Sequence, residues 1–218
     1  MLKNLLLSAA MLLPTTTLAA PLGVTLSPDK AVTSFHGAPL TRTLPRWIAP
    51  NSRTKIIDTL GKGDAYNCCE GWTVANAQSE AALQQWIAFP ITPTANATVT
   101  EIVEAIGYVA GTDSVTIALL ADNNGVPGTV LEEKKKASLE TFGACCSVAV
   151  DRLKTGVPVT AGTTYWVGAL LPRKSQSTTW DAWNFSSANT NTVPFAFFNS
   201  SGWNLTSGPY SAFAVYGD

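Results

Sequence analysis

The chain has 218 residues, enough for one substantial core in a single domain, with 13% charged residues and a net charge of -1. Its longest basic run, Lys134-Lys135-Lys136, sits beside Glu132 and Glu133 and reads as a solvated strand edge; no nucleic-acid partner is expected, because phosphate backbones demand clustered positive charge. Sixteen Gly and thirteen Pro among many Thr, Ser, Val and Asn favour short strands joined by tight turns.

Residues 1–20 read as an export signal. Lys3 supplies the positive start, Leu5 to Leu13 the apolar run, and Pro14 breaks it before the small-residue cleavage site around Thr17-Leu18-Ala19. The apolar run is too short to cross a bilayer, and the chain closes on Tyr216-Gly217-Asp218 without a hydrophobic tail. The mature protein is therefore expected in the extracellular space or periplasm, with no membrane insertion after signal cleavage. Residues 21–54 read as an extended Pro-rich leader, punctuated by Pro21, Pro28, Pro39, Pro45 and Pro50, with Trp47-Ile48 available to tuck against the domain. The single histidine, His36, falls in this leader.

The globular domain is expected over residues 55–218. Ile56-Ile57 opens a short strand, and Tyr66 to Val74 follows the turn at Gly61 to Asp64. Glu80 to Gln85 has the composition of one helical turn, and Gln85 to Ile91 resumes extended structure. Thr98 to Tyr108 reads as one strand with a conflict: facing Ile102, Ile106 and Tyr108 inward takes Glu104 with them, and the other register buries Glu101. A bulge or an open strand end would relieve it. In Val109 to Leu131, Val115, Ile117 and Leu119 alternate with Thr116, Ala118 and Leu120, and Asp122-Asn123-Asn124-Gly125 supplies turn chemistry, so a hairpin is expected. The turn lacks the later acidic ligands of a calcium loop. Ser147 to Val150, Val157 to Thr160, Thr164 to Leu171 (apolar on both faces), Thr178 to Phe185, Pro194 to Phe198 and Ser211 to Tyr216 complete the strands. Turn-bounded strands without intervening helices argue for an all-β, two-sheet antiparallel β-sandwich, jelly-roll-like in its path.

Several motifs occur together and in order: Tyr66-Asn67-Cys68-Cys69-Glu70-Gly71-Trp72-Thr73-Val74, Ile106 to Gly111, Ala121 to Gly128, Thr141 to Cys146, Ala161 to Val167 and Trp180-Asp181-Ala182-Trp183-Asn184. Over residues 55–217 this set resembles the choice-of-anchor group of secreted bacterial β-domains, most closely the type labelled R. The resemblance implies an exported β-sandwich of a kind found with varied surface-sorting tails. It implies no assigned activity.

Cys68-Cys69 and Cys145-Cys146 bracket the central hairpin, and in an oxidising compartment all four are expected in disulfides. Bridges between the pairs avoid the strained ring that adjacent cysteines close. A four-thiolate metal site is the alternative, although such sites space their ligands apart, as in C-x₂-C.

Catalytic constellations are thin. With His36 outside the domain, a Ser-His-Asp or Cys-His triad has no base at hand, and no HExxH, GxSxG, phosphate loop or dinucleotide fingerprint occurs. No catalytic residue, metal ligand or cofactor is assigned. A carboxylate-pair glycosidase needs only Asp and Glu, with Glu70, Glu104 and Asp181 as candidates. Aromatics are the positive sign: Trp180 and Trp183 fall on opposite faces of one strand, so one is expected in the core and the other exposed. Trp183, flanked by Asp181 and Asn184, and Trp203, in the loop Asn199-Ser200-Ser201-Gly202-Trp203, are the candidate platform for stacking on a glycan or another surface polymer; rings that simply fill the core are the competing reading. Two functions stay open ahead of an enzyme: a non-catalytic module binding a glycan or surface component, and a purely structural extracellular or matrix protein.

Overall fold

A computed structural model describes residues 24–26, 33–39, 54–63, 65–144, 148–171 and 177–218; the expected signal at 1–20, Trp47-Ile48 and Cys145-Cys146 lie outside the described residues. Fifteen strands and no helix occur among the described residues. β1 (Val24–Leu26), β2 (Thr33–His36), β3 (Thr54–Asp58) and β4 (Tyr66–Ala75) come first, followed by β5 (Trp86–Ile91), β6 (Ala97–Glu104) and β7 (Ile106–Ala110). The central hairpin is β8 (Ser114–Asn123) with β9 (Val126–Ala137), and β10 (Ala149–Val159), β11 (Tyr165–Leu170) and β12 (Trp180–Ser186) come next. β13 (Thr192–Asn199), β14 (Gly202–Pro209) and β15 (Phe213–Gly217) close the set.

The strands pair antiparallel in three sheets, ordered β1-β2-β4-β12-β7, β10-β6-β15-β3 and β14-β13-β5-β11-β8-β9. The chain thus has the all-β antiparallel class that its turn-bounded strands predict. The first two sheets meet at Ala105, where Ala105 N donates to Ala212 O (3.0 Å), Asn184 N to Ala105 O and Ala212 N to Asn184 O (both 2.8 Å). They face one side of the six-stranded sheet across an aromatic core in which Phe89 of β5 meets Trp183 of β12 and Phe213 of β15, at ring separations of 5.5 and 6.0 Å. Trp72 of β4 packs on Phe195 of β13 at 4.8 Å in the same layer. β11 lies between β5 and β8, which explains its apolar residues on both faces.

The hairpin forms where its pattern places it. Asn124 and Gly125 both take positive φ (56° and 86°), the demand of a tight two-residue turn, and Asp122 Oδ2 accepts the Gly125 amide at 2.9 Å. β9 runs on through Lys134-Lys135-Lys136 as an edge strand. Two expectations change. Glu80 to Gln85 forms turns, not a helical turn, with Ala82 at a φ of 51°. The leader is not separate from the domain at Thr33–His36, because β2 pairs with β4. Gln85 fastens it, donating to Thr33 O and Thr73 O (both 2.7 Å) and accepting from Thr33 N (2.8 Å).

The Glu101/Glu104 conflict resolves in a way neither register anticipates. Thr98 to Tyr108 is two strands in two sheets, broken at Ala105, and the pairing with β15 slips between Val99 and Glu101, leaving Thr100 as a bulge. Glu101 then faces with Tyr216 and Val103 with Ala214 on one side, while Ile102 and Glu104 face with Val215 and Phe213 on the other. Both carboxylates are fully buried.

Gly111 has a φ of +76°, and a Cβ there would stand 1.9 Å from Thr178 O, whereas Gly125 has open space around it. Gly125→Ala should cost about 1–2 kcal/mol, the penalty of an L side chain in this region, and Gly111→Ala clearly more, because backbone must also move. Urea unfolding of both variants checks the order; equal losses would contradict the close approach.

Candidate functional site

Six strands place a hollow on the face of their sheet turned away from the aromatic core. Ala196, Ala88, Gly168 and Ala118 stand opposite one another across β13, β5, β11 and β8, so a row of small residues crosses the middle of this face. Larger neighbours rise on either side: Phe198 opposite Trp86, Leu170 opposite Thr116, and Leu120 opposite Trp166 and Val130. Leu170 and Leu120 lean over Gly168, where a Cβ would meet them at 3.1 and 3.3 Å. The result is a concavity of about 250 Å³ lined by Trp86, Leu120, Leu170, Val130 and Trp203, with Thr116 and Glu133 as its polar side chains. The two edges of the sheet, β9 and β14, approach one another, so the sheet curls around this hollow.

Trp203 is held from below. Trp86 stacks on Phe198 at 4.1 Å and 9°, and Trp203 meets both edge-on, at 6.4 Å from Trp86 and 5.5 Å from Phe198. It remains partly exposed, and Val130 and Leu205 on the same face are among the exposed large apolar residues. A rigid ring at the rim of an apolar hollow with one carboxylate and one hydroxyl can stack on a flat apolar ligand face and orient it by a few polar contacts.

The other sequence-predicted ligand residues are elsewhere. Trp183 is fully buried and donates Nε1–H to Ala212 O at 3.1 Å, so it is core and not a platform. Trp180 is buried too, on the opposite face against Phe35 at 5.2 Å. The expected exposed partner is missing because the Phe35 and Phe142 rings, with Leu83, pack over this second face as well. Asn184 is buried and donates to Asn67 O at 2.9 Å, a structural tie between β12 and β4. Asp181 is fully buried with no hydrogen bond to either carboxylate oxygen among the described residues. None of Trp183, Asn184 and Asp181 lines the Trp203 hollow. Trp86, Leu170 and Glu133, which do, carry no local signal in the sequence, since the hollow exists only once four strands align their small residues.

Other candidate groups also disperse. His36 Nδ1 stands 3.1 Å from Glu70 Oε1 at a half-exposed edge, and Asn67 donates to Glu70 Oε2 at 2.7 Å. Glu104 lies on the opposite side of the Ala105 junction, beside Asp151; burial, reinforced by Asp151, pushes its carboxyl well above the usual range. Cys68 and Cys69 both lie half-buried on β4, and Cys69 makes no disulfide among the described residues. Successive residues of a strand point to opposite faces, so a partner that reaches one sulfur is turned away from the next. Among the described residues no group of three or more His, Cys, Asp or Glu is placed to hold a metal ion.

Comparison with family models, with curated proteins and with solved structures returned no match.

Burial, and secondarily Asp113, raises the Asp181 carboxyl well above the usual range. A carboxyl with a raised folded-state pKa holds its proton more tightly than in the unfolded chain. Its contribution to stability is full below the ordinary carboxylate range and is lost as pH climbs through the raised value. The melting temperature should therefore fall from acid toward neutral pH, and Asp181→Asn should flatten that fall and melt higher at neutral pH. Thermal melts of both proteins across this range check it; parallel profiles would contradict the assignment.

Proposed function

We propose that the protein is a secreted, non-catalytic binding module that takes the apolar face of a saccharide ring against Trp203, in the hollow of its six-stranded sheet. The observation that carries this reading is the partly exposed Trp203 at the rim of the 250 Å³ concavity, braced by Trp86 and Phe198, with Glu133 and Thr116 as the polar side chains beside it. Sugar C–H faces stack on such rings, and a carboxylate and a hydroxyl accept and donate to ring hydroxyls. The export signal read at residues 1–20 and the resemblance to choice-of-anchor domains agree with a ligand met outside the cell. On this reading the strands follow a jelly-roll-like sandwich path.

A glycan array probed with mature protein tests the proposal. At least one glycan should be retained, and Trp203→Ala should weaken it at least about tenfold, near 1.4 kcal/mol, with the β-sheet circular dichroism unchanged. Retention of no saccharide, or an unaffected Trp203→Ala variant, would end it.

The same reading includes a clamp from Cys68 to the second cysteine pair. Peptide mapping without reduction should join a fragment holding Tyr66 to Trp72 to one holding Phe142 to Val148, and alkylation should label Cys69. Reduction should lower the melting temperature, since such a bridge acts mainly on the unfolded chain, by about 2–4 kcal/mol. Separate fragments in the unreduced map would remove the clamp.

A further inference from the structure

Where the edge of the six-stranded sheet passes the edge of the four-stranded one, a lysine meets the buried carboxyl of Asp151, which has the carboxyl of Glu104 beside it. Lys134 of β9 stands opposite Ile117, whose side chain is in the main core, so Lys134 points toward the neighbouring layer. There its Nζ lies 3.6 Å from Asp151 Oδ1 of β10. The Asp151 side chain is 2% exposed and that of Lys134 46%, so the amine arrives from the sheet edge at a carboxyl that is otherwise enclosed. On the same face, Glu104 sits opposite Ala149 and Asp151 opposite Ile102, which makes the two carboxyls diagonal neighbours across the β6–β10 ladder. Glu104 has no hydrogen-bond partner for its oxygens among the described residues, and Lys134 is the polar neighbour of the Asp151 carboxyl. The nearby Arg152 does not compete, because it is engaged by Glu101 at 2.8 Å on the opposite face.

We propose that Lys134 and Asp151 form an intramolecular amide bond, with the buried carboxyl of Glu104 relaying the protons. An amine does not attack a carboxylate but does attack a neutral carboxylic acid, and burial favours the neutral form against the opposing pull of Lys134 and Lys136. Burial raises the Asp151 carboxyl, and burial together with Asp151 raises Glu104 well above its ordinary range. Moving one proton from the Lys134 ammonium to Asp151 converts their ion pair into amine and acid without changing net charge. The Nζ lone pair then forms a bond to Asp151 Cγ, and the carbonyl electron pair moves onto oxygen. Glu104 accepts the proton leaving nitrogen on one oxygen and gives its own proton from the other to the departing hydroxyl. The Cγ–O bond breaks, water leaves, and Glu104 is regenerated. Atoms and charge balance with no oxidant or activating nucleotide, and holding the groups in contact supplies the proximity that a bimolecular amidation lacks. The product is a covalent strap between the two sheets.

Mass spectrometry of the reduced, purified full chain decides it. The expected mass is about 18 Da below that of the unmodified residues, one water lost, and proteolysis should yield a branched peptide holding both Lys134 and Asp151. Lys134→Arg keeps the charge but removes the nucleophile, and should restore the full mass; Asp151→Ala removes the carbonyl and should do the same, and Glu104→Gln should accumulate unlinked protein. A wild-type mass with no water missing and no branched peptide overturns the bond, and a branched peptide formed at the same rate in Glu104→Gln overturns the role of Glu104.

Discussion

The contact between Phe89 and Trp183, ring to ring at 5.5 Å and 87°, is the constraint on which the rest of the molecule depends. It brings the middle of the six-stranded sheet onto the seam where the other two sheets join. Trp183 also donates its indole N–H to Ala212 O, so the same side chain that fills the core holds the backbone of that seam. Deleting a fully buried aromatic of this kind costs about 3–5 kcal/mol in lost transfer energy and cavity. With one face of the six-stranded sheet committed to this core, its other face is free to curl over the Trp203 hollow.

Against that apolar contact stand carboxyls whose burial is costly. Asp181, Glu104 and Asp151 are all buried, and Asp181 and Glu104 lack hydrogen-bond partners among the described residues. An ionised carboxylate in such surroundings would cost several kcal/mol, and each responds by taking a raised pKa. Their settings nevertheless differ. Asp181 has only another carboxylate, Asp113, to perturb it beyond burial itself. Asp151 has a lysine within ion-pair distance and an acid beside it, so it has a chemistry open to it that Asp181 does not.

The edges of the six-stranded sheet carry the features available for recognition and cross-linking. β9 bears Glu133 toward the hollow and Lys134 toward the neighbouring layer by strand alternation, and the irregularity at Leu131 brings Val130 to the hollow side with Glu133. Its lysines and glutamates also discourage strand-to-strand association of exposed edges. One charged strand therefore serves a solvated edge, a wall of the hollow and a contact between sheets.

Local pattern alone was enough for the all-β class, the central hairpin with its Asn124-Gly125 turn, and the doubly apolar β11, since each rests on alternation or turn chemistry within a few residues. The resemblance of its motifs pointed the same way for residues 55–217. The sequence could not place β2 in the domain, because that strand is secured by backbone pairing with β4 and by Gln85, 52 residues from Thr33. Nor could it assign Trp183 to the core in preference to a platform: residues three apart on a strand face opposite ways, and only the tertiary structure shows that both faces are covered. The Thr100 bulge and the Ala105 break, which bury Glu101 and Glu104 together, arise from pairing with β15 and β12. The hollow beneath Trp203 and the meeting of Lys134 with Asp151 likewise depend on strands distant in the chain. Periodicity reports which side a residue faces, but what lies on that side is decided by the packing of sheets.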